Sequence, residues 1–420
     1  MTPPLLRRAV IAGAAGNAME WYDFAVYGYF APTIGARFFP SANPTEQLIS
    51  AFGVFAAGFL MRPIGAILFG HIADRLGRRP ALTLSVIAMA VPTLLMGVLP
   101  DYQQIGVVAS LAMVALRLLQ GLSVGGEYTT SIAFLVESAP VRHRGRAGSW
   151  SPAGGLIGVL LGSGVAALVN ATLPAGAMAA WGWRIPFVLG FGVGLAGLYV
   201  RLRMTETFAE PLAAGRLPLL EAARTEYRAM LRVFGMGLLV GVNFYMVFVY
   251  AVTYLQEVVH VSAAEALDIN TLNMIVLLLT TLVGGVLSDR VGRRPVMTAA
   301  ALATLLLAYP LFWLMSQPRE VTIGLGQMGF AVLLGVFIGP LPAAMAETFP
   351  APVRCSAMSV SYNVGQAVFG GTTPMVATYL IARSHDDLSP AFYVMAMAAV
   401  SLAAVLGLRE TAGAPLDGHP

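Results

Sequence analysis

The feature that most constrains this sequence is a succession of stretches, each of roughly 20 or more mostly apolar residues, divided by short segments that hold most of the charge. A stretch of that length lets a helix cross the hydrocarbon core of a bilayer. Only 11% of the 420 residues are charged, against about 25% in a soluble domain, and 57% are hydrophobic. So little charge cannot cover the surface of a water-soluble protein of this size. The same numbers exclude a disordered chain, and a lone cysteine, Cys355, excludes a disulfide scaffold. The chain reads as an all-α integral membrane protein. A β-barrel is excluded because the segments are continuously apolar and too long to be alternating strands of about ten residues.

Twelve transmembrane helices are expected, at about 9–36, 46–73, 79–99, 104–137, 147–172 and 183–203, then about 231–258, 264–288, 295–316, 321–348, 354–382 and 390–409. Arg7 and Arg8 ahead of the first stretch resemble a signal peptide. Glu20 and Asp23 interrupt that stretch and no small-residue cleavage site closes it, so it reads as an uncleaved first span. Every basic residue is an arginine, and their placement sets the topology. With both termini cytoplasmic, nineteen arginines fall inside and only Arg37, Arg184, Arg319 and Arg383 outside, with Arg62 and Arg117 within spans. The expected organisation is a six-helix bundle at 1–203, a cytoplasmic linker at 204–230, a second six-helix bundle at 231–410 and a short cytoplasmic tail at 411–420.

The two halves repeat one another. The segment from Gly70 to Pro80, which contains Asp74-Arg75-Leu76-Gly77-Arg78-Arg79, returns from Gly285 to Pro295 as Asp289-Arg290-Val291-Gly292-Arg293-Arg294. Each links the second and third spans of its half. Glu137 stands seven residues before Arg144, and Glu347 seven before Arg354, at the end of each half's fourth span. Repeats of this kind mark a secondary transporter with its substrate site between the halves near the bilayer midplane.

G-x-x-x-D-R-x-G-R-R resembles the loop motif of the major facilitator superfamily. Within it, the chain resembles the metabolite:proton symporters, whose members carry α-ketoglutarate, citrate, tricarballylate, or proline and betaine. The resemblance rests on Gly16-Asn17-Ala18-Met19-Glu20-Trp21-Tyr22-Asp23-Phe24, on Phe59-Leu60-Met61-Arg62-Pro63-Ile64-Gly65, on the run from Arg117 to Tyr128, and on Trp181-Gly182-Trp183-Arg184-Ile185-Pro186-Phe187. It implies the major facilitator fold over essentially the whole chain. It also implies that Asp74, Arg75, Arg78 and Arg79, with Asp289, Arg290, Arg293 and Arg294, make charge contacts at the cytoplasmic face that favour one conformation. Glu137, Arg144, Glu347 and Arg354 are expected to add gating or structural ion pairs, Glu137 with Arg144 and Glu347 with Arg354. The chain ends at Pro420 without the coiled-coil extension of the proline/betaine carriers, so osmosensing through such an extension is not expected.

An ionised side chain near the bilayer centre costs at least about 2.5–3.5 kcal/mol, so each one asks for a partner or a function. Glu20, Asp23 and Tyr27 share roughly a 60° arc of the first helix; Arg117, Gln120, Val124, Glu127 and Ser131 form a stripe on the fourth. Glu20, Asp23, Arg117 and Glu127 are the proton-coupling candidates. An Asp23–Arg117 pair would resemble the coupling pair of related sugar:proton symporters, and a guanidinium released by protonation of the Glu20/Asp23 pair suits a substrate carboxylate. The opposed reading is that these charges form fixed pairs that only hold helices together. Asn17, Tyr27, Arg62, Arg117, Gln120, Tyr250, Asn363 and Gln366 are the substrate-binding candidates, although such polar groups equally bond neighbouring helices.

No histidine has a metal-ligand partner at helical spacing, and no nucleophile–base set or phosphate loop is visible. An enzyme, a metal and a cofactor are therefore not expected; the proton gradient is the energy source. The expected function is proton-coupled uptake of a small carboxylate-bearing metabolite, either an organic acid such as α-ketoglutarate or citrate or a zwitterion such as proline or glycine betaine. A proton-driven exporter on the same fold is the alternative. The expected partners are the substrate, protons and the lipid of a bacterial inner membrane, with no nucleic acid and no obligate protein partner, the chain acting as a monomer.

Overall fold

A computed structural model of the protein describes residues 3–202 and 217–416. Linker residues 203–216, with Arg203 and Arg216, and tail residues 417–420, with His419, lie outside the described residues, as do the side chains of Arg7 and Arg8. Twelve long helical segments are labelled α1 to α12; shorter helices are given by residue range. The first six are α1 (Pro3–Tyr29), α2 (Pro44–Leu60 continued by Arg62–Arg75), α3 (Arg78–Val98), α4 (Val107–Ser138), α5 (Trp150–Thr172) and α6 (Ile185–Leu202). The next are α7 (Tyr227–Phe244, Tyr245–Tyr250, Ala251–Glu257), α8 (Ala263–Val291), α9 (Arg293–Met315) and α10 (Glu320–Ile338 with Leu341–Thr348). The last are α11 (Arg354–Gly365, Gln366–Gly370, Thr373–Ser384) and α12 (Ser389–Leu406).

Among the described residues, ten of the twelve are long and apolar enough to cross a membrane; α1 and α11 are not among those ten. Asn17, Glu20 and Asp23 lower the hydropathy of α1, and Ser359, Ser361, Asn363 and Gln366 that of α11. The two least apolar long helices are thus ones that carry several polar side chains to the middle of the molecule.

The boundaries differ from the expected ones where local chemistry intervenes. The first span breaks at Phe30, and Pro32 starts the separate helix Ala31–Phe38. The fourth begins at Val107, not 104, because Gly106 adopts φ 63° after the turn Tyr102–Ile105. Part of the expected linker is helical: Pro218–Thr225 packs on α2 and α11, and α7 already begins at Tyr227.

In each repeated segment the glycine makes the turn. Gly77 (φ 109°) and Gly292 (φ 112°) stand immediately before α3 and α9, in a backbone region that residues with a Cβ rarely adopt. Close packing uses glycine differently: a Cβ on Gly121 would strike the Gly58 carbonyl, and one on Gly125 that of Arg62. α2 and α4 therefore touch backbone to backbone, as small residues allow in membrane helices.

Helices α1 to α6 pack mainly on one another, as do α7 to α12. The two sets meet through α2 with α11, through α8 with α5 and the short helix Arg144–Gly148, and through Leu341–Thr348 with α4 and that same short helix. These contacts lie toward the face that carries the two arginine-rich turns.

Candidate transport site

The centre of the first six helices is organised by an ion pair. Arg117 Nη1 donates to Asp23 Oδ2 at 2.6 Å and to Gln120 Oε1 at 2.6 Å. Thr93 Oγ1 donates to Asp23 Oδ1 at 2.8 Å, and Gln120 Nε2 donates to Thr93 Oγ1 at 2.9 Å. Helical spacing puts Arg117 and Gln120 on one face of α4, toward α1 and α3. The guanidinium stacks 3.9 Å from the Tyr27 ring centroid, with Phe24 and Phe55 nearby, and Tyr27 is fixed by donating its hydroxyl to the Ala51 carbonyl at 3.0 Å. Asp23 and Arg117 are both fully buried.

A cavity lies between the two sets of helices, with about 700 Å³ of empty space including its mouth. Its charged groups are Glu20 of α1 and Arg62 of α2, and its walls include Trp21, Tyr128, Phe244, Tyr245, Tyr362, Asn363 and Gln366. Glu20 and Asp23 share an arc of α1 but do not form a carboxylate pair. Thr93 and Arg117 draw Asp23 into helix packing, whereas Glu20 faces the gap. Arg62 lies 4.3 Å from the centroid of Phe59, and its Nε and Nη2 have no hydrogen-bond partner; neither has Glu20 Oε2.

Two kinds of contact flank the cavity. Toward the arginine-rich face, Asn363 Nδ2 donates to the Gly125 carbonyl at 2.7 Å, and the hydroxyls of Thr129 and Ser359 share a hydrogen bond. Toward the opposite face, the Trp21 ring meets Phe244 at 5.7 Å and the Phe59 ring meets Tyr245 at 6.1 Å, both edge to face.

Several sequence-picked residues lie elsewhere. Asp23, Arg117, Gln120 and Tyr27 do not line this cavity; they bond or stack with one another and with Thr93. Glu127 is on the far side of α4, paired with Arg201 of α6 and hydrogen-bonded by Ser85 of α3. Gly16 of α1 leaves the room, since a Cβ there would overlap both members of that pair. Asn17 ties helices together, donating to Ser131 at 2.8 Å and Ser151 at 2.9 Å. Tyr250 is buried in the second set beside Tyr254, which packs on Phe312. Gln366 lines the cavity and donates to the Gly237 carbonyl at 3.0 Å. Charge count on the sequence placed Arg201 in the cytoplasmic set; nothing in its spacing marks it as the partner of Glu127.

At the arginine-rich face two networks repeat. Asp74 accepts from the backbone N–H of Cys355 (3.1 Å) and Ser356 (2.7 Å) at the start of α11, and Arg78 bridges Asp74 (2.8 Å) to Glu137 (3.0 Å). Asp289 accepts from the N–H of Gly145 and Arg146, both at 2.8 Å, and Arg293 bridges Asp289 (2.7 Å) to Glu347 (3.2 Å). The expected pairs are exchanged between the halves: Glu137 accepts from Arg354 at 2.6 Å, while Arg144 approaches Glu347 at 3.9 Å. The repeat places like residues opposite each other across the junction, so each glutamate meets the other half's arginine. Arg79 and Arg294 donate instead to the terminal carbonyls of α6 and α12, Leu202 at 2.6 Å and Leu406 at 2.9 Å. Arg75 is half-buried and Arg290 exposed. The tail joins in unexpectedly: Glu410 accepts from the N–H of Arg293 and Arg294, Thr411 donates to Glu347 at 2.6 Å, and Arg144 donates to the Ala414 carbonyl at 2.7 Å.

A family model described as sugar (and other) transporter matches residues 9–209, and the major facilitator superfamily model matches residues 233–417. The glycine betaine/proline/ectoine/pipecolic acid transporter OusA of Dickeya dadantii is 37% identical over 98% of this chain and 85% of its own length. The proline/betaine transporter of Escherichia coli K12 is 36% identical over the same shares. The chain belongs to the major facilitator superfamily. It resembles that superfamily's metabolite:proton symporters, as the motifs imply, and it is a multi-pass membrane transporter of a small molecule, not an enzyme. Solved superfamily structures share its fold. The proton:xylose symporter XylE bound to 6-bromo-6-deoxy-D-glucose superposes with TM-score 0.81 at 16% identity over 99% of this chain and 98% of that one. The human organic anion transporter MFSD10 gives 0.72 at 17% identity over 96% and 100%.

Proposed function

We propose that this transporter is a proton-coupled symporter that takes up a small carboxylate-bearing solute of the proline and glycine betaine type by alternating access. The observation that carries this reading is the buried Asp23–Arg117 pair adjoining a central cavity that holds Glu20 and Arg62. Relatives 36–37% identical over 98% of the chain bear the names of proline and betaine transporters, which favours these solutes over organic acids.

Ionised Asp23 binds Arg117, Thr93 and, through Thr93, Gln120, locking α1, α3 and α4 together. A proton on Asp23 removes the charge that compensates a buried guanidinium, which loosens that lock. Proton binding on one side of the membrane thereby biases the rearrangement that carries the solute across. The networks at Asp74, Glu137, Asp289 and Glu347 hold the arginine-rich face shut in this conformation. By the positive-inside rule that face is cytoplasmic, both termini included, in a bacterial inner membrane. The chain works as a monomer, with the proton gradient in place of any cofactor.

The test is uptake into proteoliposomes under an imposed inward proton gradient, with proline, glycine betaine, α-ketoglutarate, citrate and a benzoate-type acid. Proline or betaine is expected to accumulate, and a protonophore to abolish the accumulation. No accumulation of any solute, with proton-driven efflux from inverted vesicles, replaces this reading with an exporter.

A further inference from the structure

Resting on that reading, we propose that Glu20 selects the cationic end of the substrate while Arg62 takes its carboxylate, so that the cavity is matched to a compact zwitterion. Both side chains are nearly fully buried, at 2% and 5% exposure, and both line the same cavity. Each keeps polar atoms without a partner: Oε2 on Glu20, Nε and Nη2 on Arg62. Buried charge that lacks its hydrogen bonds is costly, and a ligand that supplies them removes the cost. Arg62 rests on the face of Phe59 and makes no salt bridge to any carboxylate among the described residues.

The charge balance of the site decides the class of ligand. Outside the cavity lining, the charges of Asp23 and Arg117 neutralise each other, although Arg117 Nη2 keeps no hydrogen-bond partner there, and those of Glu127 and Arg201 do likewise. What remains facing the solute is one carboxylate and one guanidinium. A dianion would set two negative charges against a single Arg62 with Glu20 repelling them, whereas a zwitterion meets one partner at each end. Trp21, Tyr128, Phe244, Tyr245 and Tyr362 supply π faces along the wall, the surface that receives a quaternary or secondary ammonium group. Glu20 is therefore a substrate residue, distinct from the proton site at Asp23.

The test is binding to the purified full-length protein by calorimetry, without a gradient, of glycine betaine and of 3,3-dimethylbutanoate, its isostere with carbon in place of the cationic nitrogen, and of α-ketoglutarate. The wild type is expected to prefer betaine over the anionic isostere by at least tenfold and to bind α-ketoglutarate more weakly than betaine. Glu20→Gln should erase the preference by weakening betaine and relieving the repulsion of the anionic isostere, and Glu20→Asp should keep part of it. Equal wild-type affinity for the isostere, tighter binding of α-ketoglutarate, binding of none of the three, or full discrimination in Glu20→Gln overturns the proposal; the wild-type series suffices if a variant does not fold. Selective betaine binding without gradient-driven accumulation would instead sink the symport reading and leave this one standing.

Discussion

The interiors of the two six-helix sets are built from different chemistry. The first holds Glu20, Asp23, Arg62, Arg117, Glu127 and Arg201 among its buried residues. In the second, no Asp, Glu, Arg or His occurs in 233–256, 269–288, 295–318, 321–346, 355–382 or 389–408. Neutral carboxamides do the bonding there: Gln327 Nε2 donates to Asn270 Oδ1 at 2.8 Å, and Asn273 Nδ2 donates to Gln327 Oε1 at 3.2 Å. They also serve the backbone. The π-helical turns Tyr245–Tyr250 and Gln366–Gly370 both fall in the second set, and the Val247 carbonyl within one accepts from Gln327 at 2.7 Å. The difference teaches a division of labour. Charge within the helix interiors is confined to one set, and the other supplies irregular helices whose freed carbonyls are bonded by neutral groups. At the arginine-rich face the two sets become alike again, because the repeated segments build the same ion-pair network in each.

The largest expected effect tests where the proton acts. Asp23→Asn should reduce gradient-driven accumulation to the protonophore level while solute exchange at equilibrium continues; persistent uphill uptake would remove Asp23 from coupling and break the comparison. Next is the second buried pair. Glu127→Gln or Arg201→Gln alone strands a charge and should cost roughly 3–5 kcal/mol, with the double variant recovering most of it. The buried thiol of Cys355 serves as the thermal reporter in detergent. A double variant no better than either single would show that the pair is not a unit.

In the neutral set, Gln327→Leu leaves the Val247 carbonyl and Asn270 Oδ1 without their donor, at about 1–3 kcal/mol for each unsatisfied group. Turnover should slow several-fold while the accumulation ratio under a fixed gradient stays unchanged. A changed ratio would carry proton coupling into the second set. Arg290→Gln should have the smallest effect, within about 0.5 kcal/mol in stability and without change in transport rate, since the side chain is exposed. Arg293→Gln, three residues on, should loosen the closed face, read as faster labelling of Cys355 in the folded protein.

Legibility followed the range of the interactions. The twelve spans and the repeat could be read directly, because bilayer thickness and helix geometry act on consecutive residues. Asp23 with Arg117 could be anticipated, since two strong opposite charges in apolar surroundings have few other ways to be satisfied. The same logic misplaced Glu127, whose stripe on α4 points to the cavity only if α4 is seen alone; α6 approaches from behind with Arg201. Asn17 and Tyr250 failed likewise, as a polar side chain in a membrane helix can face a cavity or a neighbour with equal spacing.

The sequence by itself determined the membrane class, the number of spans, the pseudo-repeat, and five of the buried charges, Glu20, Asp23, Arg62, Arg117 and Glu127. These follow from local propensity, hydropathy and helical period. Only the tertiary structure decided which charges neutralise one another and which two, Glu20 and Arg62, remain facing the cavity. It also crossed Glu137 with Arg354 and Arg144 with Glu347, and laid Glu410, Thr411 and Ala414 over the closed face. Partner choice between helices depends on their rotation and separation, and side-chain spacing along a single helix holds no record of either.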